Sequence, residues 1–175
     1  MLSKKSQWNS RVIRRPGRPT IDWLCLGALG DPTITLGVLR DGKWVVDTAD
    51  GLADLEDIRA LTFAFPLLKL PYREVRGVLL QFQKNFADVD FAEFPINRLV
   101  VYAISNGGGY WAEQSLKWLP DVDLVGDEKV AVADGLRAIE DDKGLEQKLR
   151  HSAARYRRKL ESQDDQVPSE NDLWL

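Results

Sequence analysis

Residues Thr33-Ile34-Thr35-Leu36-Gly37-Val38-Leu39-Arg40-Asp41-Gly42-Lys43-Trp44-Val45-Val46-Asp47-Thr48 admit two readings, and the choice between them decides the fold class. Thr33-Ile34-Thr35-Leu36 and Trp44-Val45-Val46 flank Asp41-Gly42, a pair suited to a two-residue type I′ hairpin turn. Asp31-Pro32 is equally a good helix start, with Gly42 as the matching C-cap. No other stretch argues for strands.

Outward from this segment the sequence reads at helical period. Val75, Val78, Leu79, Phe82 and Phe86 share one face of an amphipathic helix over 71–87, beginning near Pro71. Upstream, Leu55, Ile58, Thr62 and Phe65 share a face, with Asp50 or Asp54 as N-cap and Pro66 kinking or ending the run. Pro95 opens a helix over 95–105 with the stripe Ile96, Leu99, Val100 and Ala103, and Gly107-Gly108-Gly109 closes it. Further helices are expected over 110–119, burying Trp111, Ser115, Trp118 and Leu119, over 127–141, and over 144–161 along Leu145, Leu149, Ala153, Tyr156 and Leu160. The expected fold is therefore mainly α: an antiparallel helical array, as a closed bundle or an open HEAT-like stack, with room for one small β-hairpin at 33–48. Residues 1–19 read as a basic flexible arm, 20–161 as a single helical domain, and 162–175 as a disordered acidic tail carrying the apolar tip Leu173-Trp174-Leu175.

Composition narrows the function. The chain has 175 residues, 44% of them hydrophobic, with six Trp and six Phe, which suffices for a sizeable core. One His and one Cys exclude an intrachain disulfide and the usual structural zinc site. The longest apolar run, Leu99 to Ile104, falls far short of the roughly 20 residues that a spanning helix needs. Basic residues before Trp23–Leu29 resemble an export signal, but Pro19 and Asp22 interrupt the junction, so a cytoplasmic location is expected, without membrane contact.

The net charge of -3 hides an uneven distribution. Lys4, Lys5, Arg11, Arg14, Arg15 and Arg18 stand in the first 19 residues with no acidic side chain among them. Arg14-Arg15-Pro16-Gly17-Arg18-Pro19 resembles the AT-hook, which lays arginines into a narrow A·T minor groove. Here Pro16 separates Arg15 from Gly17, and Thr20-Ile21-Asp22 replace the basic residues that usually follow. Arg14, Arg15 and Arg18 are the candidate nucleic-acid contacts, and pairing of the arm with an acidic body is the alternative.

The remaining chain is acidic, with 18 basic against 27 acidic residues. Alternating helix directions place the joints 88–94 and 120–127 at one edge of an array, bringing together Asp88, Asp90, Glu93, Asp121, Asp123, Asp127 and Glu128. Capping and the helix dipole account for Glu93, Asp127 and Glu128. Asp88, Asp90, Asp121 and Asp123 follow helix C-termini, where a carboxylate is unfavourable, so they read either as solvated loop residues or as an edge for a basic partner. Phe91 and Phe94 are candidate apolar anchors at this edge, the alternative being that they fold inward and cap the core.

No catalytic residue or cofactor is expected. Asp121-Val122-Asp123-Leu124-Val125-Gly126 echoes a calcium loop, but Val125 and Val132 stand where oxygens are needed. His151 lies on the polar face of its helix with cationic neighbours, Cys25 reads as a small buried side chain, and the glycine joint lacks the Lys-Ser/Thr of a phosphate loop.

Ser105-Asn106-Gly107-Gly108-Gly109-Tyr110-Trp111, followed by Leu116-Lys117-Trp118-Leu119, resembles helical immunity proteins of bacterial contact-dependent and other polymorphic toxin systems. The resemblance spans Ile96 to Leu160, and it implies a cytoplasmic, non-catalytic protein that binds and blocks a cognate toxin. Because such proteins share no catalytic residues, none carries over. An acidic body suits the cationic cleft of a nuclease-type toxin. Two functions are thus expected of this sequence: a protein-binding inhibitor acting through the acidic edge, or a nucleic-acid-binding protein that uses the arm, with the helical body as a partner or oligomerisation platform.

Overall fold

The computed structural model describes residues 7–14, 17, 19–30 and 33–164. It overturns the mainly α expectation, because the first part of the chain is a five-stranded antiparallel sheet and the fold is mixed α/β. Strands β1 (Trp8–Val12), β2 (Thr20–Leu29), β3 (Ile34–Leu39), β4 (Trp44–Thr48) and β5 (Gly51–Asp54) pair in sequence order. The chain divides into two units, residues 1–99 and 100–175.

In the first unit the 33–48 segment is the hairpin, with Thr35 opposite Asp47 and Val38 opposite Trp44. β-Branched Ile34, Thr35, Val38, Val45, Val46 and Thr48 favour the pleated backbone over a helix. The turn has three residues, where the sequence suggests two. Gly42 N–H donates to Leu39 C=O at 3.0 Å and Leu39 N–H donates to Lys43 C=O at 2.9 Å, with Gly42 at φ +80°. A left-handed third loop residue is the usual device for hairpins of this length.

Part of the expected arm is also strand. Trp8–Val12 pairs with 20–24 of β2, and Arg40 ties the neighbouring strand in by bonding Asp22 at 3.1 Å while lying 4.5 Å from the centre of the Trp8 ring. Hydrogen bonds from Ser10 and then from Arg40 hold the Asp22 carboxyl below its ordinary pKa. β2 carries a bulge between Cys25 and Gly27, a device that bends a sheet. The two outer strands then approach one another: Ile13 bridges Leu52, and Arg14 N–H donates to Leu52 C=O at 2.8 Å. Ile13, Trp23, Leu39, Val45 and Leu52 pack together as buried core, with Ile21 against them.

Residues expected to form an α-helix from Leu55 to Phe65 form instead a turn after β5 and a 3-10 helix, Ile58–Lys69. Its N-cap is Asp57, which accepts from Arg59 N–H, rather than Asp50 or Asp54. Pro66 has no N–H for an α-helical bond, and the run passes through it in the tighter helix. Leu61, Ala64, Phe65, Leu67 and Leu68 are buried, whereas Ile58 and Thr62, expected on the inner face, are exposed. Helix α1 (Tyr72–Asn85) follows Pro71 and buries Val75 and Leu79.

Helix α2 (Ile96–Asn106) carries the division between the units. In the second unit, Gly107 alone separates it from α3 (Gly108–Leu116), so the expected three-glycine joint is one residue long. Trp118 is fully buried after α3, Ser115 is buried within it, and Trp111 is half-buried. Helices α4 (Asp127–Asp141) and α5 (Gln147–Asp164) form an antiparallel pair, with Val132, Leu136 and Ile139 of one and Leu149 and Ala153 of the other buried. Arg157 of α5 bonds Glu140 of α4 at 3.0 Å and Glu161 at 2.8 Å. Among the described residues no helix is long and apolar enough to cross a membrane.

Within the strands of the hairpin Gly37 is closely packed: a Cβ there would come within 2.4 Å of the Trp23 ring and 2.5 Å of Leu24 O. Gly37→Ala is expected to destabilise the protein by about 2 kcal/mol, through overpacking against a backbone oxygen that cannot rotate away. Urea denaturation followed by Trp fluorescence measures this as a lower transition midpoint.

Candidate functional site

The nine expected partner contacts fall into two sets, one in each unit. In the first unit, residues 86–95 join α1 to α2 and are anchored to the β3–β4 hairpin. Ala92 N–H donates to Gly42 C=O at 3.1 Å, and the Trp44 indole Nε1–H donates to Ala92 C=O at 2.8 Å. Phe94 meets the Trp44 ring edge-on at 5.1 Å and Phe91 lies tilted at 5.6 Å. Trp44 is 2% exposed and Phe94 6%, so Phe94 is a core residue and not the exposed anchor that the sequence offers; Phe91 is half-buried. The physical reason is Trp44, whose ring provides an apolar seat that both phenylalanines share.

With the aromatic residues turned inward, Asp88, Asp90 and Glu93 are exposed. Asp90 and Glu93 make no ion pair or side-chain hydrogen bond among the described residues. Beside them at the hairpin tip, Asp41 is paired with Lys43 at 3.1 Å. The segment is thus an acidic loop fixed to a sheet through its backbone and apolar side chains, with Asp90 and Glu93 left to solvent.

In the second unit, Asp121 ends a short 3-10 helix, Leu119–Asp121, and Asp121, Asp123 and Asp127 are exposed. Glu128 is half-buried and accepts from Val125 N–H at 3.2 Å, a local capping role. Here the structure adds an apolar component. A cavity of 440 Å³ is lined by Leu119, Pro120, Val122, Leu124, Val125, Tyr156 and Leu160, with Asp123, Lys129 and Lys159 among its polar groups. Val125 is 62% exposed, and Val130, one turn into α4, is 61% exposed. The calcium-loop echo finds no ligand at its closing position, because Val132 is fully buried.

Comparison of the chain with family models, with curated proteins and with solved structures finds no match. The reading of function therefore rests on these residues and their surroundings.

The arm's described arginines are engaged by the body. Arg11 pairs with Asp47 and bonds Thr48 C=O at 2.7 Å. Arg14 lies 4.7 Å from the centre of the Phe63 ring and 3.8 Å from the Asp50 carboxylate. Arg15 and Arg18 lie outside the described residues, as does the Leu173-Trp174-Leu175 tip. Among the described residues, no group of three or more His, Cys, Asp or Glu is placed to hold a metal ion.

Cys25, expected as a buried side chain, is exposed on β2. Partial desolvation, and then the Asp47 carboxylate, raise its thiol pKa above the ordinary value. His151 is exposed on α5. Among the described residues, neither is placed beside a partner that would make it a nucleophile or a base.

The anchoring of the acidic loop escaped the sequence reading. Its one local signal is Gly42, read only as a turn or cap residue; a Cβ there would meet Asp90 O at 2.1 Å. Gly42→Ala is expected to cost about 2–3 kcal/mol, from the left-handed backbone and the displaced loop together, measured by chemical denaturation. Iodoacetamide labelling of folded protein should find Cys25 reacting more slowly at pH 7 than a free thiol, with the rate rising as pH approaches the elevated pKa.

Proposed function

We propose that this protein is a non-catalytic protein-binding inhibitor, and that its partner is a basic protein: a cognate toxin of the nuclease type, neutralised in the cytoplasm, as the immunity-protein resemblance implies. The observation that carries the proposal is the 86–95 loop, whose backbone is bonded to Gly42 and Trp44 while Asp90 and Glu93 stand exposed without an ion pair among the described residues. Carboxylates on an anchored segment lose little conformational entropy on binding, and unpaired ones give up no existing ion pair.

The second unit supplies what a purely charged surface lacks. Exposed Val125 beside a cavity lined by both apolar and charged side chains, with exposed Asp121, Asp123 and Asp127 nearby in sequence, suits an interface in which an apolar contact gives affinity and a charged rim gives speed and selectivity. The apolar anchor of the proposal is accordingly Val125 rather than Phe94. The alternative that Arg14 contacts nucleic acid loses support from the contacts of Arg14 with Phe63 and Asp50.

The test begins with capture of the partner from nuclease-treated lysate of the source cell, followed by assay of the partner's nuclease activity against purified chain. Stoichiometric inhibition is expected, with Asp90→Lys/Glu93→Lys and Asp121→Lys/Asp123→Lys each weakening it at least tenfold and most strongly at low salt. A captured partner whose activity is untouched by excess protein would contradict the inhibitor reading.

A further inference from the structure

Helix α5 presents the opposite charge to the acidic loops. Lys148, His151, Arg155, Arg158 and Lys159 are all exposed and stand at i, i+3, i+7, i+10 and i+11. At about 3.6 residues per turn these positions fall within about a third of the helix circumference, and the other residues in that arc are Ser152 and Ser162. No carboxylate interrupts it from 148 to 162. The helix's remaining face is occupied: Leu149, Ala153 and Ala154 are buried, and Arg157 is taken up by Glu140 and Glu161. By contrast, the five basic side chains of the arc form no ion pair among the described residues, and Arg155 only overlies the neighbouring Tyr156 ring, 5.3 Å from its centre. Among the described residues, these cations thus stand on one rigid element without an acidic partner.

We propose that this face of α5 is a binding surface for duplex nucleic acid, held through the phosphate backbone and independent of the inhibitory reading. Three features select this occupant. The stripe is straight and, from 148 to 159, about 16 Å long, a length over which duplex DNA presents roughly nine or ten phosphate charges. It carries no exposed apolar anchor, which a tight protein partner would require. The apolar residues of α5 face its own unit, so the helix has no apolar face with which to enter a lipid surface. The serine hydroxyls in the arc add neutral donors of the kind found at phosphate contacts. Without base-reading groups in a groove, the binding is independent of sequence.

Fluorescence anisotropy of the full chain with a labelled DNA duplex about 20 base pairs long tests this. The expected dissociation constant lies in the micromolar range at 50 mM salt, and affinity falls roughly 150-fold by 200 mM, the slope for about four phosphate contacts. Lys148→Gln/Arg155→Gln/Arg158→Gln should flatten that slope by about 2.7, whereas Arg15→Gln/Arg18→Gln should leave it unchanged. These exposed helical positions accept glutamine with little loss of helix propensity, and thermal melting verifies the fold. Should the triple variant melt early, Lys148→Gln and Arg158→Gln are each expected to reduce the slope by about 0.9. Absence of binding at 50 mM salt, or an unchanged slope in folded α5 variants, overturns the proposal. So does loss of binding in the arm variant alone, or tighter binding to phosphatidylserine vesicles than to the duplex.

Discussion

The Trp44 indole joins residues nearly fifty positions apart, and the arrangement of the first unit depends on it. Its N–H bonds Ala92 C=O, and its ring seats Phe91 and Phe94. A hydrogen bond of this kind contributes about 1 kcal/mol net and each aromatic contact about 0.5–1.5 kcal/mol beyond simple burial. Their sum is a large fraction of the marginal stability of an ordinary domain. The backbone bond from Ala92 to Gly42 adds a second point of attachment. A loop that composition marks as acidic and solvated is, by these contacts, part of the sheet's packing.

Charge is then sorted by element. The loop bonded to Trp44 leaves Asp90 and Glu93 outside; the 119–127 segment of the second unit does the same with Asp121, Asp123 and Asp127; the outer face of α5 is basic from Lys148 to Lys159. A net charge of -3 describes none of these surfaces. Other charges are paired within the units at partly exposed positions, with Arg157 between Glu140 and Glu161 and Arg11 against Asp47. Among the described residues, Asp90, Glu93 and the basic side chains of the α5 arc form no ion pair, which makes them the natural places to look for partners of either sign.

Helices were legible because their signals are local. Pro71 and Pro95 mark starts, apolar stripes repeat at 3.6 residues, and α4 runs over the residues its pattern indicates, Asp127–Asp141. The sheet was not, apart from β3 and β4. β2 contains Gly27 and Ala28 and resembles the apolar core of an export signal; β1 lies within a run of basic residues; β5 has four residues. Such strands are specified by their partners in the sheet rather than by their own composition. At the site, the exposure of Asp88, Asp90, Asp121 and Asp123 could be expected from their loop positions. The inward turn of Phe94 could not be settled, because its seat, Trp44, lies in another element. The basic arc of α5 follows the same helical periodicity as its apolar stripe, on the polar face that already carries His151.

The central claim is that the acidic 86–95 loop is a fixed part of the β-sheet unit rather than a solvated connection, and amide hydrogen exchange at Ala92 tests it most directly. Ala92 N–H is the group bonded to Gly42 C=O, so the account requires it to be protected in the native protein to nearly the same degree as the β3–β4 ladder. In Trp44→Phe, which keeps a ring but removes the indole donor, that protection should fall selectively while Val38 and Val45 in the ladder stay slow. Exchange of Ala92 at the rate of an unstructured amide in the unmodified protein would contradict the account.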